Sequence, residues 1–480
     1  MEIDYGKIGL KCGLEIHQQL DTKKLFCNCL SLLRKDEPDF IVKRKLHAVA
    51  GEQGKVDVAA AYQAGLGKEF FYEGYDTTCL VELDESPPKM INEDALKIAI
   101  QISVMLNCII IPVTQIMRKT VIDGSNTSGF QRTVLIARDG FVETKFGKVG
   151  IATVCLEEDS ARITGREEGK VVYRLDRLGI PLIEIATKPD IKNPEQAKEV
   201  ALFIGNILRS CKVKRGIGTI RQDVNVSVKK GARIEIKGVQ EPELILKAVE
   251  KEAERQTELI NNKKEVKSEV RKVLLNGQTD FLRPMPGAAR MYPETDLPLL
   301  KISREFINET KKTIPKLRRD VEKELKGKGL TNEMIKLIFS GYLDDFEELL
   351  KFYKKEPQLV AKMLTLWRRE VATKLNKNVD EVEDTINMDV MKKLVLEIKK
   401  GNLEKNHVRQ VFNDLMKNVS LEDAIKKEEH DGSETEEKIH NLIKGKPGLS
   451  ANAYMGLVMK EFKNKISGKE AMEIIRKYVK

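Results

Sequence analysis

No apolar run in this chain approaches the roughly 20 residues that a membrane span requires. The first residues, MEIDYGKIGL, have neither the basic flank nor the apolar h-region of a signal peptide. The expected location is therefore the cytoplasm, with no membrane partner. Cysteine is sparse and odd in number, 7 in 480 residues, which argues against a disulfide framework. Only Cys27 and Cys29 stand close together. A zinc site takes about four ligands. No second Cys pair follows nearby and His47 adds at most one donor, so zinc is not expected. Familiar nucleotide and hydrolase signatures are missing too. There is no G-x-x-x-x-G-K-[ST], no G-x-G-x-x-G, no H-E-x-x-H and no evident Ser-His-Asp set. Gly216 and Gly218 in RGIGTIRQD share a tight turn, but a lone GxG says little about phosphate.

What remains is a soluble globular composition, 41% hydrophobic and 33% charged, long enough for two to four domains. The net charge of +10 is unevenly placed. Residues 441–480 hold 9 basic and 3 acidic residues, while 421–440 hold 8 acidic and 3 basic ones. A basic C-terminal patch suits a polyanion such as tRNA. A solvated Lys-rich surface explains the same charge.

Up to about Pro298 the chain is rich in strand signals, with β-branched residues in short runs and Gly or Asp at the breaks. Helical period appears over Glu93 to Asn107, over Asn193 to Ser210, and in LILKAVEKEAERQTELINN. Asn193 is a candidate cap, with Pro194 at the first helical position. From Ser303 onward the pattern is a succession of amphipathic helices. The polar stretch Glu428 to Lys438 is the best linker candidate, and the segment after it reads as two helices split at Ser467-Gly468. The expectation is an α+β chain: a β-rich domain over 1–298, a helical domain over 299–410 and a small helical tail over 411–480.

The chemistry-bearing residues are acids set into apolar strands, where a carboxylate needs a partner. Glu15 and His17 in GLEIH share one face of a strand. Glu157, Glu158 and Asp159 end the strand of GIATVCLEED, and Asp176, Arg177 and Glu184 follow. Asp223 and Asn225 in RQDVNVSV are again two apart, as are Glu235 and Lys237 in RIEIKG. Carboxylates with one histidine make a hard, oxygen-rich set that suits Mg²⁺ carrying nucleotide phosphates. An acidic pair at this spacing is also what a solvent-facing strand edge looks like. SNTSGFQR, Ser125 to Arg132, offers hydroxyls and amides for a ligand, or forms a hydrogen-bonded turn. RPMPGAARMYPETDLP, Arg283 to Pro298, reads as an extended loop or domain connection. Its Arg283 and Arg290 can hold phosphate or clamp the junction.

Taken in order, GLEIHQQLDTKKLFCNC, MRKTVIDGSNTSGFQRT, LEEDSAR, YRLDRLGIPLIEIAT, RQDVNVSV, EIKGVQE and RPMPGAARMYPETD closely resemble the archaeal E subunits of glutamyl-tRNA(Gln) amidotransferases. These are relatives of the bacterial B subunits. The resemblance is specific from about Gly9 to Pro298 and looser through the helices, and GLSANAYMGLVMKEFKNKISGKEAMEII resembles the family's tail domain. It implies a cradle-shaped N-terminal domain carrying the kinase and amidation site, with helical and tail domains that recognise tRNA. It implies ATP-dependent phosphorylation of the γ-carboxylate of Glu-tRNA(Gln), then amidation with ammonia from a partner D subunit resembling an asparaginase. On this reading Glu15, His17, Glu157, Glu158 and Glu184 hold Mg²⁺. Glu157, Glu158, Asp176 and Arg177 carry the chemistry. Asp223, Asn225, Lys237, Ser125 and Arg290 contact ATP or the acyl phosphate. No glutaminase nucleophile is expected here. One departure stands out: EVRKVLLNGQTDFLRPMPG runs straight on, leaving no space for the family's insertion domain that resembles one in bacterial aspartyl-tRNA synthetases. The alternative is a non-catalytic tRNA-binding or assembly scaffold whose acids are structural.

Overall fold

The computed structural model describes residues 3–48, 54, 56–285, 290–426, 432–462 and 468–479. It forms two compact units, 1–321 and 322–480. The first unit is built on strands. In chain order they are β1 (Lys11–Gln19), β2 (Phe40–Arg44), β3 (Glu69–Gly74), β4 (Ile109–Ile110), β5 (Val113–Thr114) and β6 (Ile116–Thr120). Next come β7 (Phe130–Thr144), β8 (Gly147–Glu158), β9 (Arg162–Glu167), β10 (Lys170–Arg174), β11 (Pro181–Thr187) and β12 (Ile220–Ser227). The last are β13 (Ile234–Lys237), β14 (Glu269–Val273), β15 (Thr279–Pro284), β16 (Met291–Pro293) and β17 (Leu300–Lys301). Helices α1 (Val58–Ala64), α2 (Glu93–Met105), α3 (Pro194–Ser210), α4 (Pro242–Asn261) and α5 (Arg304–Lys312) are interspersed.

The main sheet runs β15-β14-β13-β12-β1-β11-β8-β7-β6-β16, with β4 also on β7. A second sheet runs β2-β3-β10-β9, and β17 pairs with β5. Strand β1 lies near the centre of the main sheet, antiparallel to both β11 and β12. Its alternation decides the two faces. Leu14 and Ile16 point to one side, with Ile183, Ile185, Val154, Leu156, Val134, Val224 and Ile236, all in one hydrophobic core. Helices α2, α3 and α4 cover this side. Their boundaries follow local chemistry: Asn92 caps α2 through Ala95 N at 3.1 Å, and Asn193 caps α3 through Gln196 N at 2.7 Å, with Pro194 opening the helix. The other side of β1 carries Glu15 and His17, and that side positions the site.

β14 returns directly as β15 through a hairpin at Leu274 to Gln278. Gly277 has φ 87°, and a Cβ there would meet Lys247 Cβ at 2.8 Å, so both conformation and space call for glycine. In the proline-rich stretch that follows, 286–289 lie outside the described residues. Both flanks are extended, β15 before and β16 after, and β16 pairs with β6.

The described residues of the second unit are helical, and the mixed α+β class stands. Residues 428–431 of the expected linker lie outside the described residues. Residues 432–438 are not a linker: they belong to the helix Gly432–Gly445. Ile439 and Ile443, one turn apart, anchor that helix against Tyr454, Val458, Ala471 and Ile475. Gly468 begins the last helix, Gly468–Tyr478, and Ser467 lies outside the described residues.

Candidate active site on the polar face of the main sheet

Cross-strand register assembles this face from seven strands, β6, β7, β8, β11, β1, β12 and β13. His17 is registered with Glu184 on β11 and Arg221 on β12, and Glu15 with Asp223. Glu184 faces Cys155 on β8, and Glu157 stands two pairs further along on the same face, beside Thr133 of β7. Asn225 is registered with Gly13 and Glu235. Residues far apart in the chain, from Glu15 to Glu235, thus share one surface.

His17 Nε2 lies 3.5 Å from Glu15 Oε1 and 3.4 Å from Glu184 Oε2. Lys119 Nζ pairs with Glu157 and lies 3.3 Å from Glu184 Oε2, while Thr133 Oγ1 donates to Glu157 Oε1 at 2.8 Å. Lys237 Nζ bridges Asp223 at 2.7 Å and Glu235 at 2.5 Å. Arg290, which donates to the Thr120 carbonyl at 3.2 Å, is near enough to work against the charge on Lys119. Arg283 lies near Arg290 and Glu235 in turn. Five carboxylates therefore face two ammonium groups, one imidazole and two guanidinium groups, so negative charge is in surplus while His17 is neutral.

The surplus shows in the acidities. Burial, then the repulsion of Glu184, pushes Glu15 up to about 7. Burial and the same neighbour raise Glu157. Burial opposes ionisation of Glu184 too, but Lys119 and the hydrogen bond from His17 hold it well below the usual carboxylate range. His17 is raised: burial works against its charge, and Glu184 and Glu15 outweigh it. Two overlapping donor sets, Glu15/His17/Asp223 and His17/Glu157/Glu184, each bring their ligand atoms within 4.8 Å of one another. Carboxylates held together in this way against their own repulsion fit a hard divalent cation, which removes the repulsion that raises Glu15.

Not every expected residue joins this face. Glu158 follows Glu157 in an extended strand and so points the other way. It binds Arg132 through the backbone N–H and the guanidinium, both at 3.3 Å, and Arg132 also donates to the buried Glu294 at 2.8 Å. Glu294 pairs with Arg118 as well. Asp176, fully buried, accepts from Arg162 and from Arg34 N at 2.7 Å, tying the loop at Arg34 to the second sheet. Arg177 donates to the carbonyls of Ser160 and Ala161 at 2.6 and 2.9 Å. Ser125 closes a turn on Asp123 at 2.6 Å, and Asn126 and Thr127 bond within the same region. Asp159 bridges to the polar face: it accepts from Gln19 at 2.6 Å and Arg221 at 2.8 Å.

Sequence reasoning passed over Lys119 and Thr133. Lys119 sits in the MRKT motif, where its place in a strand flanked by half-buried residues was the available signal. It also passed over Cys79 and Glu82. Cys27, Cys29, Cys79 and Glu82 bring one donor each within 4.8 Å, so the ligand count that argued against zinc is corrected. The extra donors come from a turn some fifty residues downstream, which spacing does not reveal. Cys27 Sγ donates to Glu82 Oε1 at 2.8 Å, and the fully buried Lys24 lies 3.5 Å from the same oxygen. The hydrogen bond from Cys27 draws the Cys29 thiol down to about 7, against burial.

A family model described as the GatB/GatE catalytic domain matches residues 10–308. The chain is 36% identical to the glutamyl-tRNA(Gln) amidotransferase E subunit of Methanocaldococcus jannaschii over an alignment of 631 residues, covering 100% of both proteins. The corresponding protein of Archaeoglobus fulgidus is 36% identical, over 100% of this chain and 99% of its own length. That of Thermococcus sibiricus is 56% identical over 55% of this chain and 42% of its own. Alignments this much longer than 480 residues mean that the full-length relatives carry a stretch without counterpart here. No described helix is long and apolar enough to cross a membrane. The family model covers more than half of the residues and the full-length relatives exceed 30% identity, so the chain belongs to the GatB/GatE family.

Proposed function

We propose that this chain is the subunit of a tRNA-dependent amidotransferase that converts Glu-tRNA(Gln) to Gln-tRNA(Gln), and that the polar face of the main sheet is its active site. The observation that carries this reading is the surplus of carboxylates around His17 in a chain of this family. A γ-carboxylate oxygen of the tRNA-borne glutamate attacks the γ-phosphorus of ATP and ADP leaves. Ammonia then adds to the acyl carbon, inorganic phosphate leaves, and the surplus proton passes to solvent.

Glu15, His17, Glu157 and Glu184 are the residues to hold Mg²⁺, which supplies charge neutralisation for a transferring phosphoryl group. No protein nucleophile is needed, because the substrate's own carboxylate attacks; the chain's task is positioning and electrostatics. Lys119 and Lys237 stand at opposite ends of the acid row, placed to meet phosphate oxygens, with Arg290 beside Lys119. Asp223 orients Lys237, and Thr133 orients Glu157. Glu158, Asp176 and Arg177 act at one remove, by holding the strand ends and the turn after β8. The ammonia comes from a partner amidase resembling an asparaginase. The basic tail, 441–480, adds tRNA affinity, and the enzyme works in the cytoplasm.

The test is formation of γ-phosphoryl-Glu-tRNA from ATP and Mg²⁺ by the full chain, without and with the amidase partner. Phosphorylated intermediate alone and Gln-tRNA with the partner are expected. tRNA binding without ATP-dependent phosphorylation would leave the scaffold reading instead.

A further inference from the structure

A second charged surface lies at the end of β1, and its sign is opposite. From Arg209 to Arg221 the chain has Arg209, Lys212, Lys214, Arg215 and Arg221 and no acid. From Lys311 to Arg319 it has Lys311, Lys312, Lys316, Arg318 and Arg319, again with no acid. The fold brings these two stretches together: Ser210 Oγ accepts from Arg318 N at 2.8 Å. Arg215 donates to the Arg209 carbonyl at 2.7 Å, and Arg209 to Asn206 Oδ1 at 2.9 Å, both neutral acceptors. Four acids touch the margin: Asp21 at 3.6 Å from Lys214, Asp320 at 3.7 Å from Arg319, Glu309 at 2.6 Å from Lys312 and Asp159 at 2.8 Å from Arg221. None of them is paired with Arg209 or Arg215 among the described residues. Burial, then the charges of Arg318 and Arg215, lower the basicity of Arg209, and burial and Arg318 lower that of Arg215. Like charges are thus gathered at a cost that an anion would relieve.

The loop is also anchored to the active-site strand. Gln18, the residue after His17, donates through Nε2 to the carbonyls of Lys214 and Thr219 at 3.1 and 3.0 Å. Beyond the loop, Arg221 is registered with His17 itself.

We propose that the C-terminal end of α3, the loop 212–219 and the segment at Arg318 and Arg319 form a phosphate-binding surface for an RNA backbone, placed to hold the polyanionic substrate beside the polar face. Guanidinium groups suit this role because they meet phosphate oxygens with paired donors. The inference rests on the tRNA-dependent reading above and locates part of its substrate contact.

The experiment measures binding of Glu-tRNA(Gln) to the full chain across a series of KCl concentrations, with steady-state kinetics alongside. For R209Q/R215Q the expected results are affinity weaker by about 10-fold at low salt and a log–log salt slope shallower by about 2. KM for the tRNA should rise while kcat at saturation is kept. R209K/R215K should restore the slope, and K145Q/K148Q, on the β7–β8 turn that is bonded to the N-terminal half of α3, should match the unmodified chain. R209Q/R215Q binding with unchanged affinity and slope would overturn the surface while leaving the proposed function standing. Loss of kcat with KM unchanged would also overturn it. Failure of the unmodified chain to bind Glu-tRNA(Gln) would overturn the functional reading, and the surface with it.

Discussion

Two acidic clusters lie on opposite faces of the same strand ends, and they differ in how their acids are partnered. Behind the sheet each acid has a guanidinium: Arg132 bonds Glu158 and Glu294, and Arg118 bonds Glu294 and Asp296. In front, Lys119 and Lys237 hold Glu157, Glu184, Asp223 and Glu235, with Arg290 and Arg283 nearby, but among the described residues Glu15 has no lysine or arginine at ion-pair distance and meets only His17. The first arrangement is complete and holds strands together. The second leaves Glu15 short of a cation, which is the place of the proposed Mg²⁺. Acids in apolar strands thus have two explanations, and whether every acid of the cluster finds a cation separates them better than burial does, since Glu157 and Glu294 are equally buried at 1% exposure.

The sharpest way to break this contrast is Glu294→Gln. It leaves Arg118 and Arg132 short of a buried partner and should cost about 3–5 kcal/mol in a denaturant titration. Unchanged stability would mean that the rear network is not structural. Glu157→Ala and His17→Ala should do the reverse. ATP-dependent γ-phosphorylation should fall on the order of 100-fold or more while tRNA binding is kept, and an unaltered phosphorylation rate in both variants would remove the front cluster from the active site.

Asp159 lies between the two regimes, and its prediction is one of pH. Arg221 and Arg177 hold it below the usual aspartate range against the effect of burial. A depressed folded value stabilises the protein above the unfolded value of about 4 and is lost as pH falls through the folded value. Asp159→Asn should therefore cost about 1–2 kcal/mol near neutrality, and the gap to the unmodified chain should close on acidification below about pH 4. A constant gap from pH 6 to pH 3 would contradict it. The smallest effect concerns the cation. Glu15, raised to about 7, is protonated below that pH in the metal-free chain. Mg²⁺ must displace that proton, so its stabilisation in thermal unfolding should grow from pH 6 to pH 7 and level off by pH 8. Equal stabilisation at all three values would argue against Glu15 as a ligand.

Much of the fold is legible along the chain. The alternation of GLEIH and RQDVNVSV marks half-buried strands, and Asn193-Pro194 marks a helix start. The same period-two rule separates Glu157 from Glu158, which reading the three acids as one block overlooks. The stretch at 432–438 misleads for a different reason. Its polar composition resembles a loop, but the apolar anchors Ile439 and Ile443 come after it, and packing against the last two helices decides the matter. Cys79 was not legible at all, because nothing local in TTCLVEL ties it to Cys27.

The amino-acid pattern by itself determined strand faces, helix caps, family and the sign of each charged stretch, since these depend on neighbours within a few residues. Tertiary structure alone decided which acids converge, which are neutralised, and that a basic loop is tethered beside His17. Those outcomes depend on register between strands far apart in sequence. Register is set by packing the shared apolar face against α2, α3 and α4, not by any local preference.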